Sequence, residues 1–373
     1  MHRARAWLCG FVGAAYLRVR MTHPHLPPEA TPLDAGFLRT FHGSLVALLA
    51  VVAALSWLID PLGAFGTGLL PPVITADRDQ KAALYRDRRP PPAIVILGSS
   101  RSKTLPARCV EALTGQPAFN FAVNGAGAED FLAVFRFIRD QRTDSVRELL
   151  IGLDPETLQG SGGAHRALES SRFLARYVGG RRWAGRLRTL GADLFGWQAV
   201  HGSLESIRRA WHPPGRPPET VIDSDGVQRY PESEHMWRVG TLAASGRVAA
   251  SIPGILSRYD AFEALDPGRV GDLERLAREA RSAGVSVTAF IPPLHPALER
   301  AAAGTAWRPR TEETVRLLQA LEAQGLLRYV ETRGLVGAGA DSTAFVDGVH
   351  FLAPVAVKVV EAVLGRRDDC AVQ

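Results

Sequence analysis

Lysine is nearly missing from this 373-residue chain: Lys81, Lys103 and Lys358 are the only ones, and arginine supplies almost all of the other basic side chains. A formal charge of +6 and a pI near 9.6 therefore reflect an arginine-biased composition rather than a lysine- and arginine-patterned surface for phosphates. No nucleic-acid-binding motif accompanies the charge, so no nucleic-acid partner is expected. Cysteine is scarce too. Cys9, Cys109 and Cys370 have no metal-ligand spacing and no pairing pattern of a disulfide framework. No metal is expected, and no disulfide framework. Gly125-Ala126-Gly127 lacks the third glycine and the later acidic residue of a dinucleotide fingerprint, so no cofactor is expected either.

Long hydrophobic runs are absent, with one exception. Ser44 to Ile59 carries no charge and ends at Asp60-Pro61. It is slightly shorter than the roughly 17–25 residues of a spanning helix, but Phe41, Trp57 and Phe65 flank it as interfacial anchors. We read 41–62 as a transmembrane anchor inserted in a lipid bilayer, with a buried core helix as the alternative. Arg3, Arg5, Arg18, Arg20 and Arg39 precede it, which places residues 1–40 in the cytoplasm and everything after Pro61 outside. The long lead, with starts open at Met1 and Met21, argues against a cleaved signal.

Residues 63–92 bear Gly and Pro and close with Arg88-Arg89-Pro90-Pro91-Pro92, reading as a linker. Alternating strand and helix patterns follow from Ala93. Strands are expected at 93–98, 118–123, 148–153, 285–291 and 328–332. Val270, Leu273, Leu276, Ala277 and Ala280 share one helical face that ends at Gly284. Val315, Leu318 and Leu321 repeat the pattern, with Thr311 as N-cap and Gly325 as the stop. Such alternation predicts an α/β fold with a central parallel sheet between helical layers. Residues 160–262 break the pattern. Pro213-Pro214, Pro217-Pro218 and a turn signal at Asp225-Gly226 mark a long, partly helical insertion over the sheet's edge or mouth. Its arginines (Arg166, Arg172, Arg176, Arg181, Arg182, Arg186, Arg188, Arg208 and Arg209) outnumber nearby acids. They read as a solvated face, or as a contact for anionic glycan or lipid head groups. Residues 367–373 read as a tail.

Four blocks carry chemistry. Gly98-Ser99-Ser100-Arg101 follows the apolar strand Ala93–Leu97. Asn120 to Gly127 runs from a strand into a Gly-rich turn that includes Asn124 and Gly125. Gly152-Leu153-Asp154-Pro155 ends a third strand. Asp347-Gly348-Val349-His350 precedes the last helix. A serine hydroxyl needs an adjacent base, an imidazole suits that role, and a carboxylate three residues before it fixes its tautomer. His295, after the fourth strand, is a further candidate for the same crevice or an ordinary loop histidine.

The order and spacing of these blocks resemble the SGNH/GDSL hydrolase superfamily over roughly residues 93–366. The resemblance implies a three-layer α/β sandwich of SGNH, flavodoxin-like type, preceded here by one transmembrane helix. It places the nucleophile on Ser100, with Ser99 in place of the family's aspartate. The base and its orienter fall on His350 and Asp347. The oxyanion hole falls on Ser100, Gly125 and Asp154, the last where the family has asparagine. Ser99, Arg101, Asn124 and His295 are read as supporting the site, Arg101 through a bidentate pair with Asp154. Membrane-anchored DltD-like proteins and alginate O-acetylation proteins look similar in layout. That layout implies ester hydrolysis or O-acyl transfer on a cell-envelope glycan, with an acyl-donor membrane protein as an expected partner. The competing reading is an inactive module that organises envelope-polymer assembly.

Overall fold

The structure is a computed structural model. It describes residues 35–61, 65, 67, 69–70, 77–141, 145–160, 167–169, 171–178, 190–211, 220–337, 339–366 and 370. The prolines at 213–218, the arginines at 166, 181, 182, 186 and 188, and the N-terminal stretch read as a cytoplasmic tail as far as residue 34 lie outside the described residues. The chain falls into two units, up to Ala50 and from Val51 onward.

Helix α1 (Ala35–Ile59) runs across that division. Its apolar stretch, Gly36–Ile59, is long enough to cross a membrane, with a mean hydropathy of 2.1. It begins several residues before the uncharged run, so the apparent shortfall in length disappears and Arg39 lies on the helix.

From Val51 onward the centre is a parallel sheet of five strands: β1 (Ile94–Gly98), β2 (Ala118–Asn120), β3 (Glu148–Gly152), β6 (Ser286–Phe290) and β7 (Arg328–Val330). Their order is β2-β1-β3-β6-β7. All five coincide with expected strands, each shorter at one end or, for β6, at both. β1 is central and buried along its length because both of its faces are covered. Val95 and Leu97 point to one layer with Leu149, Ile151, Val287 and Ala289. That layer is filled by α4 (Ala128–Gln141), α8 (Pro267–Ser282) and α10 (Trp307–Ala323). Ile94, Ile96 and Leu150 point to the other, filled by α3 (Ala107–Thr114) and α11 (Ala353–Leu364). The three-layer α/β sandwich expected from the sequence is present.

Helix α8 starts where Asp266 accepts from the Arg269 N–H at 2.9 Å. It stops before Gly284, whose φ is 69°. Thr311 is not an N-cap: α10 begins a turn earlier, and the Thr311 hydroxyl donates to the Trp307 carbonyl within the helix.

Two other expectations change, and a third holds. The stretch 63–92, read as a linker, contains helix α2 (Asp77–Asp87), whose Asp77, Arg78, Asp79, Lys81, Ala82 and Tyr85 are buried. Its polar composition hides the packing, because its buried charges are either paired or hydrogen-bonded to neutral groups, Lys81 to the Ala122 carbonyl and Asp79 to Ser171. Arg78 holds Asp130 of α4 through two hydrogen bonds, at 2.7 and 3.0 Å. Asp77 holds Lys103. Second, Cys109 on α3 is disulfide-bonded to Cys370, with Cα atoms 5.6 Å apart. A sequence separation of 261 left no pattern from which to read that pair. Third, the described part of the insertion is partly helical, as expected. It contributes α5 (Trp197–Trp211), the hairpin β4 (Val221–Ile222) and β5 (Gln228–Arg229), α6 (Pro231–Arg238) and α7 (Arg247–Asp260). The hairpin turn at Asp225-Gly226 covers the edge of β2: the Asn120 N–H donates to the Asp225 carbonyl at 2.9 Å. Gly226, at φ 81°, comes so close to the Asn120 carbonyl that no side chain would fit.

Candidate active site

At the C-terminal ends of β1, β2 and β3 lies an open cleft of about 450 Å³, lined among others by Ser100, Gly125, Asp154 and His350. Clefts at such strand ends are where parallel α/β sheets keep their ligands. Gly98 ends β1, and the chain turns into a 3-10 turn over Ser100–Ser102. Three serines crowd this turn and each has a different environment. Ser102 is fully buried. The Ser99 hydroxyl accepts from the Arg101 N–H at 3.3 Å and donates to Asp154. Ser100 alone turns its hydroxyl toward an imidazole, 2.9 Å from His350 Nε2.

The loop after β7 brings that imidazole. Asp347 Oδ1 accepts from the backbone N–H groups of Val349 and His350, both at 2.8 Å, so the carboxylate closes its own turn. Its other oxygen lies 2.7 Å from His350 Nδ1. Burial pushes the Asp347 carboxyl up, but the hydrogen bond and charge of His350, with the two backbone N–H groups, hold it below its ordinary range. An ionised carboxylate only accepts hydrogen bonds, so Nδ1 carries the ring proton and Nε2 offers its lone pair to Ser100.

Gly125 also lines the cleft and is itself left-handed, at φ 55°. Neither its backbone N–H nor that of Ser100 is taken by another hydrogen bond among the described residues. The neighbouring Asn124 N–H is taken: Asp77 Oδ2 accepts it at 2.6 Å. Asn124 thus fixes the turn through α2.

Asp154 is buried at the cleft floor. Burial pushes its carboxyl up to about 6, against the opposing charge of Arg101. The expected bidentate Arg101–Asp154 pair does not form. Arg101 Nη1 stands 3.4 Å from Asp154 Oδ1 as an ion pair without hydrogen-bond alignment. Arg101 Nη2 instead donates to Glu156 and, at 2.8 Å, to Tyr259 Oη. Burial opposes the Arg101 charge, yet Glu156 first, then Tyr259 and Asp154, hold its pKa above the ordinary value. Glu156 lies two residues beyond Asp154, and α7 brings Tyr259. Neither was read as a site residue, because only the fold brings α7 onto this cleft wall.

His295 does not line the cleft. Its Nδ1 accepts from the Ala297 N–H at 3.1 Å, capping α9 (Pro296–Ala302), and its ring packs edge-on against Phe345. Its backbone N–H donates to the Gly348 carbonyl at 3.0 Å, so it braces the loop of Asp347 and His350 from behind. Among the described residues no cluster of side chains could hold a metal.

No protein-family model matches this chain, and no curated protein does. Solved structures give distant likenesses. An acylhydrolase from Bacteroides fragilis has 9% identity and a TM-score of 0.34, covering 77% of this chain and 92% of its own. A GDSL-like lipase from Bacteroides thetaiotaomicron has 10% identity and a TM-score of 0.33, with coverage of 77% and 92%. A chain described as a platelet activating factor, from Streptococcus pneumonia, has 10% identity and a TM-score of 0.33, with coverage of 78% and 91%. Scores this low leave the functional reading to the site itself.

Proposed function

We propose that this chain is a membrane-anchored serine esterase or O-acyltransferase of SGNH type, working on an ester of a cell-envelope glycan outside the bacterial inner membrane. The observation that carries the chemistry is the relay from Ser100 Oγ to His350 Nε2 and from His350 Nδ1 to Asp347, at 2.9 and 2.7 Å. In this reading Ser100 Oγ attacks the ester carbonyl carbon as its proton passes to His350 Nε2. The carbonyl oxygen becomes an oxyanion facing the free N–H groups of Ser100 and Gly125. The C–O bond to the leaving alcohol breaks, and His350 returns the proton to that oxygen. Water or a sugar hydroxyl, deprotonated in turn by His350, then cleaves the acyl-serine and restores Ser100. Asp347 keeps the ring in the useful tautomer throughout. The envelope glycan and the acyl donor come from the family resemblance together with the apolar helix before the domain.

A serine-reactive fluorophosphonate and the hydrolysis of p-nitrophenyl acetate test the chemistry. Wild type should be labelled and should turn over. Ser100→Ala should lose labelling, and Ser100→Ala and His350→Ala should each lose activity by about 10³-fold or more. Equal labelling of wild type and Ser100→Ala would reject the assignment of the nucleophile. Absence of labelling in the folded wild type would favour the inactive scaffold.

A further inference from the structure

Helix α5 is built inside out. Its buried face carries Ala199, Ser203 and Ser206, small side chains that would tolerate water. Its exposed face carries Trp197, Leu204 and Trp211, at 78%, 64% and 79% exposure, with His201 and Arg208 exposed along one edge of it. These three are seven residues apart and share one stripe of the helix, within about 40° at 3.6 residues per turn. Val200 and Ile207, half-buried, complete an apolar row at spacings of three and four. Just before the helix, Leu190 and Phe195 are also 44% and 45% exposed. A surface helix of a protein surrounded by water shows the reverse pattern. Scattered exposed apolar residues need no explanation, but a contiguous row with tryptophan at both ends does.

The segment's position says what covers it. Asp60 sits directly after α1, where the chain leaves the candidate membrane span. Its carboxylate accepts from the Phe65 N–H at 3.0 Å. Asp193, four residues before α5, is close enough to feel that charge. Burial, with the charges of Asp60 and Asp79 adding to it, pushes its carboxyl up to about 6. The segment leading into α5 is thus within range of the charge that follows the span. Tryptophan prefers the boundary between head groups and acyl chains, and a helix with one apolar face lies in that plane. Arg208 and Arg209 are exposed at its C-terminal end. Both pair with Glu205, which leaves one net positive charge at that end for anionic head groups.

We infer that α5 is an interfacial helix whose Trp197–Leu204–Trp211 face is embedded in the same bilayer leaflet at which α1 ends. The domain would then be held against the membrane at two places. The inference rests on the reading of α1 as a membrane anchor, and its test separates the two.

The test uses the full chain, with Cys9→Ser, in vesicles of phosphatidylethanolamine and phosphatidylglycerol. A nitroxide is placed on Leu204→Cys or Trp211→Cys. Val46→Cys, exposed on the apolar helix, and Arg308→Cys, exposed on α10, serve as references. Collision rates with oxygen and with a water-soluble nickel chelate are measured for each label. The labels at 204 and 211 should show an oxygen-to-chelate ratio several-fold above that at 308, approaching that at 46. If 204 and 211 match 308 while 46 stays high, α5 faces water and the inference fails with the anchor intact. If 46 itself is open to the chelate, the anchor reading fails and takes the inference with it. If 204 is shielded from both reagents and the shielding disappears as protein is diluted in lipid, a second copy covers the face and the bilayer does not.

Discussion

Ser99 and Asp154 occupy positions where the family resemblance leads one to look for an aspartate and an asparagine, and the exchange has a measurable consequence. An asparagine amide donates to an oxyanion, whereas an ionised carboxylate does not. Here the Asp154 carboxylate is turned to Ser99 and faces Arg101, with Glu156 taking the guanidinium's hydrogen bond. Its pKa rises from an ordinary 3.8 to about 6, chiefly through burial. Between those values the native state holds a proton that the unfolded chain has released. Native stability from this group is therefore largest below pH 3.8 and falls as pH rises to about 6, beyond which the cost is constant. Asp154→Asn removes that dependence. Denaturant unfolding of both proteins at pH 4.5 and pH 7 should show the variant gaining stability relative to wild type as the pH is raised. The difference between the two proteins cancels the titration of groups that the substitution leaves undisturbed. An identical difference at both pH values would show that Asp154 titrates normally. Arg101 keeps Glu156 in the variant, so turnover at pH 7 should fall by less than about tenfold, a loss of about 1.4 kcal/mol at most.

At the scale of elements, the site depends on how closely β1 and β3 let the serine turn approach. Gly98 and Gly152 are register partners on these neighbouring strands, and both face Ser102. A methyl group on Gly98 would stand 2.5 Å from Ser102 Cβ, an atom fixed to the backbone. Gly98→Ala must therefore push the 3-10 turn, and Ser100 with it, away from His350. Displacement of a reacting group by about 1 Å costs on the order of 10²-fold in rate, so kcat of the folded variant should fall by about 10–100-fold. Unchanged kcat with only a lowered melting temperature would show that the turn gives way without moving Ser100. Asn120 ties the same turn to the second loop: its amide donates to the Ser102 and Leu105 carbonyls, at 2.8 and 2.9 Å, and its carbonyl accepts from the Ala122 N–H. The strands, the serine turn and the Asp347–His350 spacing were legible in the sequence because each is local: an apolar run ended by glycine, or two residues on one turn. Helix α2 was not, since its helical face is made of charges whose partners, Asp130 and Lys103, lie elsewhere in the chain. The Glu156–Arg101–Tyr259 cluster was hidden for the same reason: Tyr259 is 158 residues away from Arg101.

For the molecule as a whole we propose one orientation, which charge, hydropathy and cysteine chemistry support. Arg3, Arg5, Arg18, Arg20 and Arg39 precede or begin the apolar helix Gly36–Ile59, and an excess of arginine marks the cytoplasmic side of a span. The α/β domain follows on the other side in this reading. Its Cys109–Cys370 bond joins α3 to the C-terminal end of the chain, and such bonds persist in oxidising compartments rather than in the cytosol. Both lines lead to the same outcome in a bacterial host. Alkaline phosphatase fused after Gln373 should be active, because that enzyme needs export to form its own disulfides. Protein extracted without reductant should expose a single thiol, Cys9, to an alkylating reagent after denaturation, and three after reduction. An inactive phosphatase fusion beside a fluorescent cytoplasmic reporter fusion, with three thiols open from the start, would turn the domain to the cytoplasm. The envelope ester would then be out of its reach, while the Ser100–His350–Asp347 chemistry would stand unchanged on some cytoplasmic ester.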